Sequence, residues 1–339
     1  MITVVIPTIG RSTLGDTVAA VGSGVPVIVV DDRVTNRDRT GTLRRGGGSR
    51  TKERGVTLPS FSHEGLRVVR SGGRGPAAAR NAGWRAADTP WVVFLDDDVI
   101  PEPGWTEAVW KDLVDLPGDV AGSQGRIVVP LPADRRPTDA ERNTAGLARA
   151  LWVTADMAYR RSVLEAVGGF DERFPRAYRE DADLALRVAR AGHRLVRGDR
   201  VTAHPVRPDG FWASVRFQRG NADDALMRHV HGPGWRAAIG GGRGRLRTHA
   251  VTTVAGLAAL TLAARGIVGA RREVLGRGPA VLAGLAGAVW AALTAEFAWR
   301  RIAPGPRTPD EVWRMVVTSV VIPPVACAHR LRGEWRVRR

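Results

Sequence analysis

Three adjacent carboxylates follow a short apolar run in the segment FLDDDVIPEPGW, residues 94–105. Like charges at contact distance repel one another, so Asp96, Asp97 and Asp98 need either open water or a cation beside them. Side chains two residues apart in extended backbone point to the same side. Asp96 and Asp98 could therefore bind one hard divalent cation, Mn²⁺ or Mg²⁺, which in turn could bind a diphosphate. The alternative is a solvated acidic turn.

Four apolar runs rich in valine and isoleucine predict the strands that would position these carboxylates. They are ITVVIP (2–7), VPVIVVDD (25–32), LRVVR (66–70) and WVVFLDDD (91–98). Alanine-rich segments with helical character separate several of them, which is typical of a parallel α/β sheet flanked by helices. Ligands of such sheets bind outside the carboxyl ends of the strands. We therefore expect Thr8, Asp31 and Asp32 to converge with the acidic triplet on one crevice.

Three further segments predict helices, and one predicts a loop. Segments 75–87, 162–174 and 180–193 read as helices, the last two closed by glycine. In the third helix we expect Asp183 to act as a cap or to pair with Arg187. Residues 36–64 have no hydrophobic period and many Gly and Arg, which predicts a basic loop between the second and third strands.

The charge balance indicates which partners to expect. The chain has 51 Lys and Arg against 34 Asp and Glu, a formal net charge of +17. This charge favours nucleotide phosphates, anionic lipid or nucleic acid as partners. No aromatic-rich RNA motif, zinc spacing or helix-turn-helix pattern is present, so nucleic acid is not the expected partner. Cys327 is the only cysteine, which excludes a disulfide framework.

Six segments, in this order, resemble the family 2 glycosyltransferases, which are nucleotide-sugar enzymes of the GT-A fold. They are VVIPTIGR, VIVVDDR, GPAAARNAG, FLDDDVIP, MAYRRSVLEAVGGFDERF and REDADLALRVARAGHRL, within roughly residues 1–230. The resemblance implies a GT-A-like (Rossmann-like) mixed, mostly parallel sheet flanked by helices. It also implies metal-dependent, inverting transfer of a sugar from a nucleotide-sugar donor to a hydroxyl acceptor. We expect residues 1–235 to form this catalytic domain.

The resemblance also implies where the donor binds. The first two strand ends correspond to positions that hold the base and ribose, and the helix that follows the third strand faces the diphosphate. Family members commonly continue with Gly-Ser after the paired aspartates, whereas Arg33 follows here and leaves the base contact open. The implied donor-binding residues are Pro7, Thr8, Asp31, Asp32, Arg80, Asn81, Asp97, Asp156 and Arg219.

The metal ligands and the general base follow from the same resemblance. Asp96 and Asp98 match the metal-binding pair, and His204, after the last expected strand, completes the set. Asp181 is the expected general base and Glu180 the alternate, because inverting transfer needs a carboxylate within hydrogen-bond reach of the acceptor hydroxyl. The Gln-x-x-Arg-Trp signature of processive synthases is absent. This absence favours a nonprocessive enzyme that transfers one sugar per encounter.

Two other functions remain open on the sequence. A sugar nucleotidyltransferase shares the α/β layout, but its Gly-rich loop ending in a basic residue fits PTIGRSTLGDT poorly. A noncatalytic protein that binds anionic lipid or nucleic acid would account for the positive charge. It would leave Asp181 without an explanation.

Residues 236–339 predict a helical, membrane-associated region. The uncharged stretch 249–264 reaches only about 24 Å as a helix, against a hydrocarbon core of about 30 Å. Arginine flanks every apolar stretch, which favours helices that lie at or dip into the leaflet at the cytoplasmic face of the cell membrane. A lipid-linked or cell-envelope glycan acceptor would suit that location, and a soluble helical subdomain is the alternative. The other apolar stretches are 279–295 and 316–328, the latter broken by Pro323 and Pro324.

Overall fold

The protein divides into two compact units, each built from several chain segments. The structure is a computed structural model that describes residues 1–34, 63–208, 210–270 and 278–339. Unit 1 comprises 1–130, 145–205 and 238–240, and unit 2 comprises 131–144, 206–237 and 241–339. The domains predicted at 1–235 and 236–339 stay predictions, and the compact units are drawn differently because 131–144 and 206–235 group with the C-terminal helices. The predicted basic loop, apart from its last two residues, lies outside the described residues.

Eight strands form one sheet in the described part of unit 1. Neighbours follow the order β3-β2-β1-β4-β7-β6-β8-β5, and four of the seven neighbouring pairs are parallel. The predicted mixed, mostly parallel sheet is therefore confirmed. The strands are β1 Ile2–Thr8, β2 Val27–Asp31, β3 Leu66–Arg70, β4 Trp91–Leu95, β5 Ile100–Pro101, β6 Val120–Val128, β7 Asp156–Arg160 and β8 Arg194–Ala203.

The central strands are apolar throughout because both faces of the sheet are covered. Val4 and Ile6 belong to one buried cluster, whereas Val5, which points to the opposite face, belongs to another. β2 and β4 are likewise buried at every position. A strand buried on both faces has no polar side to show, which is why these runs lack alternation.

The described residues form twelve α-helices. Those predicted at 75–87, 162–174 and 180–193 are confirmed as α2, α5 and α6. Gly83 lets α2 lie directly on the sheet, since a Cβ there would be 2.3 Å from Val5 Cγ1. The helices are α1 Leu14–Val21, α2 Pro76–Arg85, α3 Trp105–Val114, α4 Asp139–Ala145, α5 Arg161–Ala166, α6 Glu180–Arg190, α7 Ala213–Arg216, α8 Gly220–His231, α9 Trp235–Ala238, α10 Leu246–Ala270, α11 Gly278–Ile302 and α12 Pro309–Arg336.

The last three helices are longer than the apolar stretches that predicted them. Helices α10 and α11 each have 25 residues, or about 37 Å at 1.5 Å per residue. The length of about 24 Å expected for the first stretch was an underestimate, because the helix continues into its polar flanks. By length and composition, Leu246–Gly266, Gly278–Ile302 and Pro309–Arg336 are each able to cross a membrane.

The expected break in the third apolar stretch is also wrong. Helix α12 continues through Pro323 and Pro324. Each proline removes a backbone donor, and a helix tolerates this loss only where packing compensates for it. Helix α12 packs on α8, α10 and α11, and Gly333 brings its backbone so near α8 that a Cβ would lie 2.6 Å from Ala222 O. Tertiary contacts therefore hold the helix together.

Candidate active site

The predicted metal ligands lie together at the carboxyl end of β4. Strand β4 ends at Leu95, so the extended backbone expected through Asp98 gives way to a turn. Even so, Asp96, Asp98 and His204 each offer a ligand atom within 4.8 Å of the other two. His204 comes directly after β8, and its Nε2 lies 4.0 Å from Asp98 Oδ1.

These three side chains fit one divalent cation. Ligand atoms bound to a single cation at about 2.1 Å lie about 3 to 4.2 Å apart, so a side-chain shift of less than an ångström closes the site. Carboxylates suit both Mg²⁺ and Mn²⁺, whereas Mg²⁺ prefers oxygen ligands alone. The imidazole of His204 adds one nitrogen ligand to the two carboxylates of this donor set.

Arg11, which the sequence analysis missed, lies against the acidic triplet. Its Nε is 3.1 Å from Asp97 Oδ1, and its Nη1 is 3.5 Å from Asp98 Oδ2. Thr8 Oγ1 donates a 2.6 Å hydrogen bond to Asp97 Oδ2, which confirms that the ends of β1 and β4 converge. The available signal for Arg11 was a basic residue three positions after β1, at the edge where acidic strand ends were expected.

Two carboxylates of this cluster, Asp97 and Asp98, hold protons more tightly than usual. Burial raises the pKa of Asp97 to about 6, against the opposing effects of Thr8 and Arg11. Burial, followed by the charge of Asp96, also raises the pKa of Asp98. Taking like charges out of water disfavours ionisation, and a bound cation would reverse that effect.

The predicted general base, Asp181, and its alternate, Glu180, are the first two residues of α6. Arg179, just before it, has φ +79°, a left-handed conformation that is strained for a residue with a side chain. Burial, with the charge of Asp181 second, raises the pKa of Glu180 to about 8. Burial also raises the pKa of Asp181, whose Oδ1 accepts a 2.7 Å hydrogen bond from Ala182 N.

The neighbouring Asp183 takes a structural part. It pairs with Arg187 one turn along the helix at 2.7 Å, and this predicted contact is confirmed.

Arg80 connects the candidate metal ligands to the two candidate general bases. Its Nη1 donates to Glu180 Oε1 at 2.8 Å, and its Nη2 donates to Asp96 Oδ1 at 2.7 Å. The contact with the donor diphosphate expected for Arg80 stays a prediction.

The paired aspartates after β2 are engaged with the chain itself. Both carboxylate oxygens of Asp31 accept from the Arg33 side chain at 2.8 Å, and these hydrogen bonds lower the pKa of Asp31. Asp32 accepts from Ser71 Oγ at 2.7 Å and from Gly75 N at 2.9 Å. The base and ribose contacts expected for the pair stay predictions, and Arg33 would have to move for Asp31 to make them.

Asn81 uses its whole amide within unit 1. Its Nδ2 donates to Phe170 O at 2.9 Å and to Glu172 Oε1 at 3.0 Å. Its Oδ1 accepts from Trp84 Nε1 and from Phe170 N, both at 2.9 Å. These contacts tie α2 to the loop after α5. They favour a structural role over the predicted donor contact.

Asp156 also lies in a saturated network. This fully buried carboxylate accepts from Arg200 Nε at 2.7 Å, Trp105 Nε1 at 2.7 Å and Thr202 Oγ1 at 2.6 Å. Pro7 lies within β1, opposite Val30 of β2.

Arg219 belongs to a short 3₁₀ turn in unit 2. The donor contacts expected for Asp156, Pro7 and Arg219 stay predictions.

Comparison with known proteins identifies the family. Residues 3–168 match the sequence profile described as Glycosyl transferase family 2. Two relatives from Mycobacterium tuberculosis strains, each named Pre-mycofactocin glycosyltransferase, are 31% identical over 209 residues. The match covers 54% of this chain and 44% of each relative, so the chain spans less than half the length of these curated relatives.

Two solved structures are more distant. One is the mannosyltransferase PcManGT from Pyrobaculum calidifontis in complex with GDP-Man and Mn²⁺, at 16% identity and TM-score 0.49, covering 99% of this chain and 87% of that one. The other is S. aureus TarS, at 14% identity and TM-score 0.39, covering 69% and 41%. TM-scores below 0.5 carry no conclusion about ligands. The family profile and the sheet of unit 1 together show that residues 3–168 form a glycosyl transferase family 2 domain.

Proposed function

We propose that this chain is a metal-dependent glycosyltransferase that moves one sugar from a nucleotide-sugar donor to a hydroxyl acceptor. The observation that carries the proposal is the grouping of Asp96, Asp98 and His204, linked through Arg80 to Glu180 and Asp181. Sugar transfer needs a site for a diphosphate and a base on the acceptor side. The two halves of this cluster supply them.

The donor half would be held by Asp96, Asp98 and His204 around Mn²⁺ or Mg²⁺. A cation there binds the diphosphate and neutralises the charge that develops on the leaving nucleotide. Five carboxylates lie in the cluster, Asp96, Asp97, Asp98, Glu180 and Asp181, against the guanidinium groups of Arg11 and Arg80. The excess of negative charge supports cation binding.

The acceptor half would use Asp181 as general base. Its carboxylate takes the proton of the acceptor hydroxyl as that oxygen attacks the sugar carbon from the side opposite the nucleotide. Attack from that side inverts the configuration at the carbon. Glu180 is the alternate base, and its Oε1 already accepts from Arg80.

Features of unit 2 support a proposal for the acceptor and the location. Its three apolar helices, with arginine at their flanks, support attachment at the cytoplasmic face of the cell membrane, either peripheral or partly inserted. An enzyme held there meets lipid-linked or cell-envelope glycan acceptors. Nucleic acid is not a proposed partner.

A panel of nucleotide sugars tests the proposal. Purified full-length protein is mixed with each donor in Mn²⁺ and in EDTA, and donor hydrolysis and binding are measured. We expect at least one nucleotide sugar to be bound and slowly hydrolysed in Mn²⁺, and neither in EDTA. Release of pyrophosphate from a nucleoside triphosphate and a sugar phosphate would indicate a sugar nucleotidyltransferase. Binding of anionic lipid or nucleic acid without binding of any donor would indicate a noncatalytic protein.

A further inference from the structure

The side chain of Arg80 is buried in the protein. Its side chain is 2% exposed, and its guanidinium lies 5.8 Å from the centre of the Phe170 ring. The two terminal nitrogens donate to different carboxylates, Glu180 at 2.8 Å and Asp96 at 2.7 Å. The guanidinium therefore forms one ion pair with an acid of the donor half of the site and one with an acid of the acceptor half.

We propose that Arg80 is a positioning residue that fixes Glu180 relative to Asp96, and not a ligand of the donor diphosphate. The inference rests on the proposed glycosyl transfer, since it assigns how the acceptor half and the donor half of that site are held in register. Because the guanidinium is buried, a phosphate would have to displace one of the two carboxylates to contact it. That would leave a buried carboxylate without its compensating charge, which is strongly unfavourable.

The bridge also contains two polar atoms without a hydrogen-bond partner. Glu180 Oε2 and Arg80 Nε are both buried without a hydrogen-bond partner. Buried polar atoms without a partner are rare in native structures, and each one calls for an explanation. Arg80 holds Oε1 of Glu180, one residue before the proposed base Asp181. Because the two acids are adjacent in the chain, fixing Glu180 also fixes Asp181 relative to the candidate metal ligands.

Three variants separate positioning from phosphate binding. Arg80→Met removes the charge and both hydrogen bonds, Arg80→Lys keeps the charge, and Arg187→Lys is the matched control. Arg187 pairs with Asp183 on the same helix as Glu180 but makes no contact with the candidate site. For each protein, donor Kd in Mn²⁺, kcat and the pH dependence of kcat are measured, with melting temperature to confirm folding.

Positioning predicts a split between turnover and donor binding. We expect Arg80→Met to lower kcat by about 10²-fold with donor Kd changed by less than about threefold. The acid limb of its pH profile should move upward by about one pH unit, since carboxylates without the nearby cation hold their protons more tightly. Arg80→Lys should recover part of both effects, and Arg187→Lys should show neither.

Two outcomes would overturn the inference. A tenfold or larger rise in donor Kd with an unmoved pH profile would make Arg80 a phosphate ligand. A loss of kcat with neither donor Kd nor the pH profile changed would mean that the bridge only supports the fold.

A carbon-13 NMR titration of the Glu180 carboxyl, in wild type and Arg80→Met, needs no donor or acceptor. An unchanged midpoint in Arg80→Met refutes the coupling by itself, and a midpoint at higher pH supports it. Failure of the proposed function has a different signature, because the wild-type protein would then bind no nucleotide sugar in Mn²⁺.

Discussion

Acidic side chains at two chain positions set the chemistry of the candidate site. Asp96, Asp97 and Asp98 follow β4, and Glu180 and Asp181 open α6. All five are drawn together in one unit, and burial raises the pKa of several of them. Buried carboxylates with raised pKa values are typical of functional sites, where a bound cation or a reacting hydroxyl interacts with them.

The metal set gives the first prediction. Asp98→Ala removes one of three candidate ligands, so we expect Mn²⁺-dependent donor binding to be lost while the melting temperature stays near that of wild type. Isothermal titration calorimetry with the donor, in Mn²⁺ and in EDTA, measures the effect. Asp119→Asn is the control, since that carboxylate is exposed and pairs with Arg194. Full transfer activity of Asp98→Ala in EDTA would contradict the prediction.

The general base gives the second. Asp181→Asn keeps the shape of the side chain but removes its ability to take a proton, so kcat should fall by about 10² to 10⁴. Donor Kd should change little, because the lost interaction forms only during transfer. Steady-state kinetics with a saturating acceptor provide the measurement. Normal transfer by Asp181→Asn together with loss in Glu180→Gln would exchange the two roles.

The raised pKa values give the third prediction, on pH dependence. The Glu180 carboxyl has a pKa of about 8, raised by burial and by Asp181. Burial also raises the pKa of the proposed base Asp181, and a base takes a proton only when it is deprotonated, so kcat should rise with pH until both members of the pair are ionised. A profile of kcat from pH 6 to pH 9.5 at saturating Mn²⁺ and donor tests this. A kcat that stays constant down to pH 6 would show that the pair is ionised throughout.

At the scale of elements, the site depends on where strands stop and helices begin. β4 ends at Leu95 and α6 begins at Glu180. Arg80 of α2 contacts Asp96, just after β4, and Glu180. Helix α2 reaches its place because Gly83 has no side chain. A Cβ at Gly83 would meet Val5 Cγ1 at 2.3 Å and Val30 Cγ2 at 3.0 Å.

Gly83→Ala therefore gives the fourth prediction. The added methyl group must push α2 away from β1 and β2, at a cost of about 1 to 3 kcal/mol. Thermal unfolding should show a clearly lower melting temperature than wild type. Gly15→Ala is the matched control in α1, since nothing lies within 4 Å of a Cβ there, and alanine favours a helix over glycine by up to about 1 kcal/mol. Equal melting temperatures for the two variants would mean that α2 does not pack as described.

At the scale of the whole molecule, unit 2 presents a large apolar surface. In the most apolar part of α11 only 6% is buried, and in the most apolar part of α10 only 11% is buried. The two helices pack on each other closely, since a Cβ at Gly256 would lie 2.8 Å from Trp290 Cδ1. Leucines such as Leu257 and Leu285 are exposed on their outer sides. Exposed apolar surface of this extent is typical of a protein or membrane interaction site. The length of these helices matches the thickness of the hydrocarbon core of a bilayer.

Fractionation gives the fifth prediction. We expect the protein to sediment with membranes, to resist extraction by high salt and carbonate, and to require detergent, because its apolar helices are long enough to insert. Leu257→Arg with Leu285→Arg should shift it toward the soluble fraction, since charged side chains in the hydrocarbon core are costly. Release by carbonate alone would indicate surface attachment. A cytosolic wild-type protein would refute membrane attachment altogether.

The sequence by itself determined four of the eight described strands, three of the helices around them and the resemblance to the family. Apolar runs and glycine stops are local features, and strand direction follows from the short α/β connections. The grouping of Thr8 with the acidic triplet was predicted for the same reason, because parallel strands end at a common edge. His204 was named at a distance of more than a hundred residues, through the family resemblance alone.

Only the tertiary structure decided how charged side chains from remote parts of the chain are paired. Arg11 pairs with Asp97, and Arg80 connects Asp96 with Glu180, two acids 84 residues apart in sequence. The continuity of α12 through Pro323 is decided in the same way, by packing. Pairing and packing depend on distances between segments that are remote in the chain, and local sequence does not encode those distances one residue at a time.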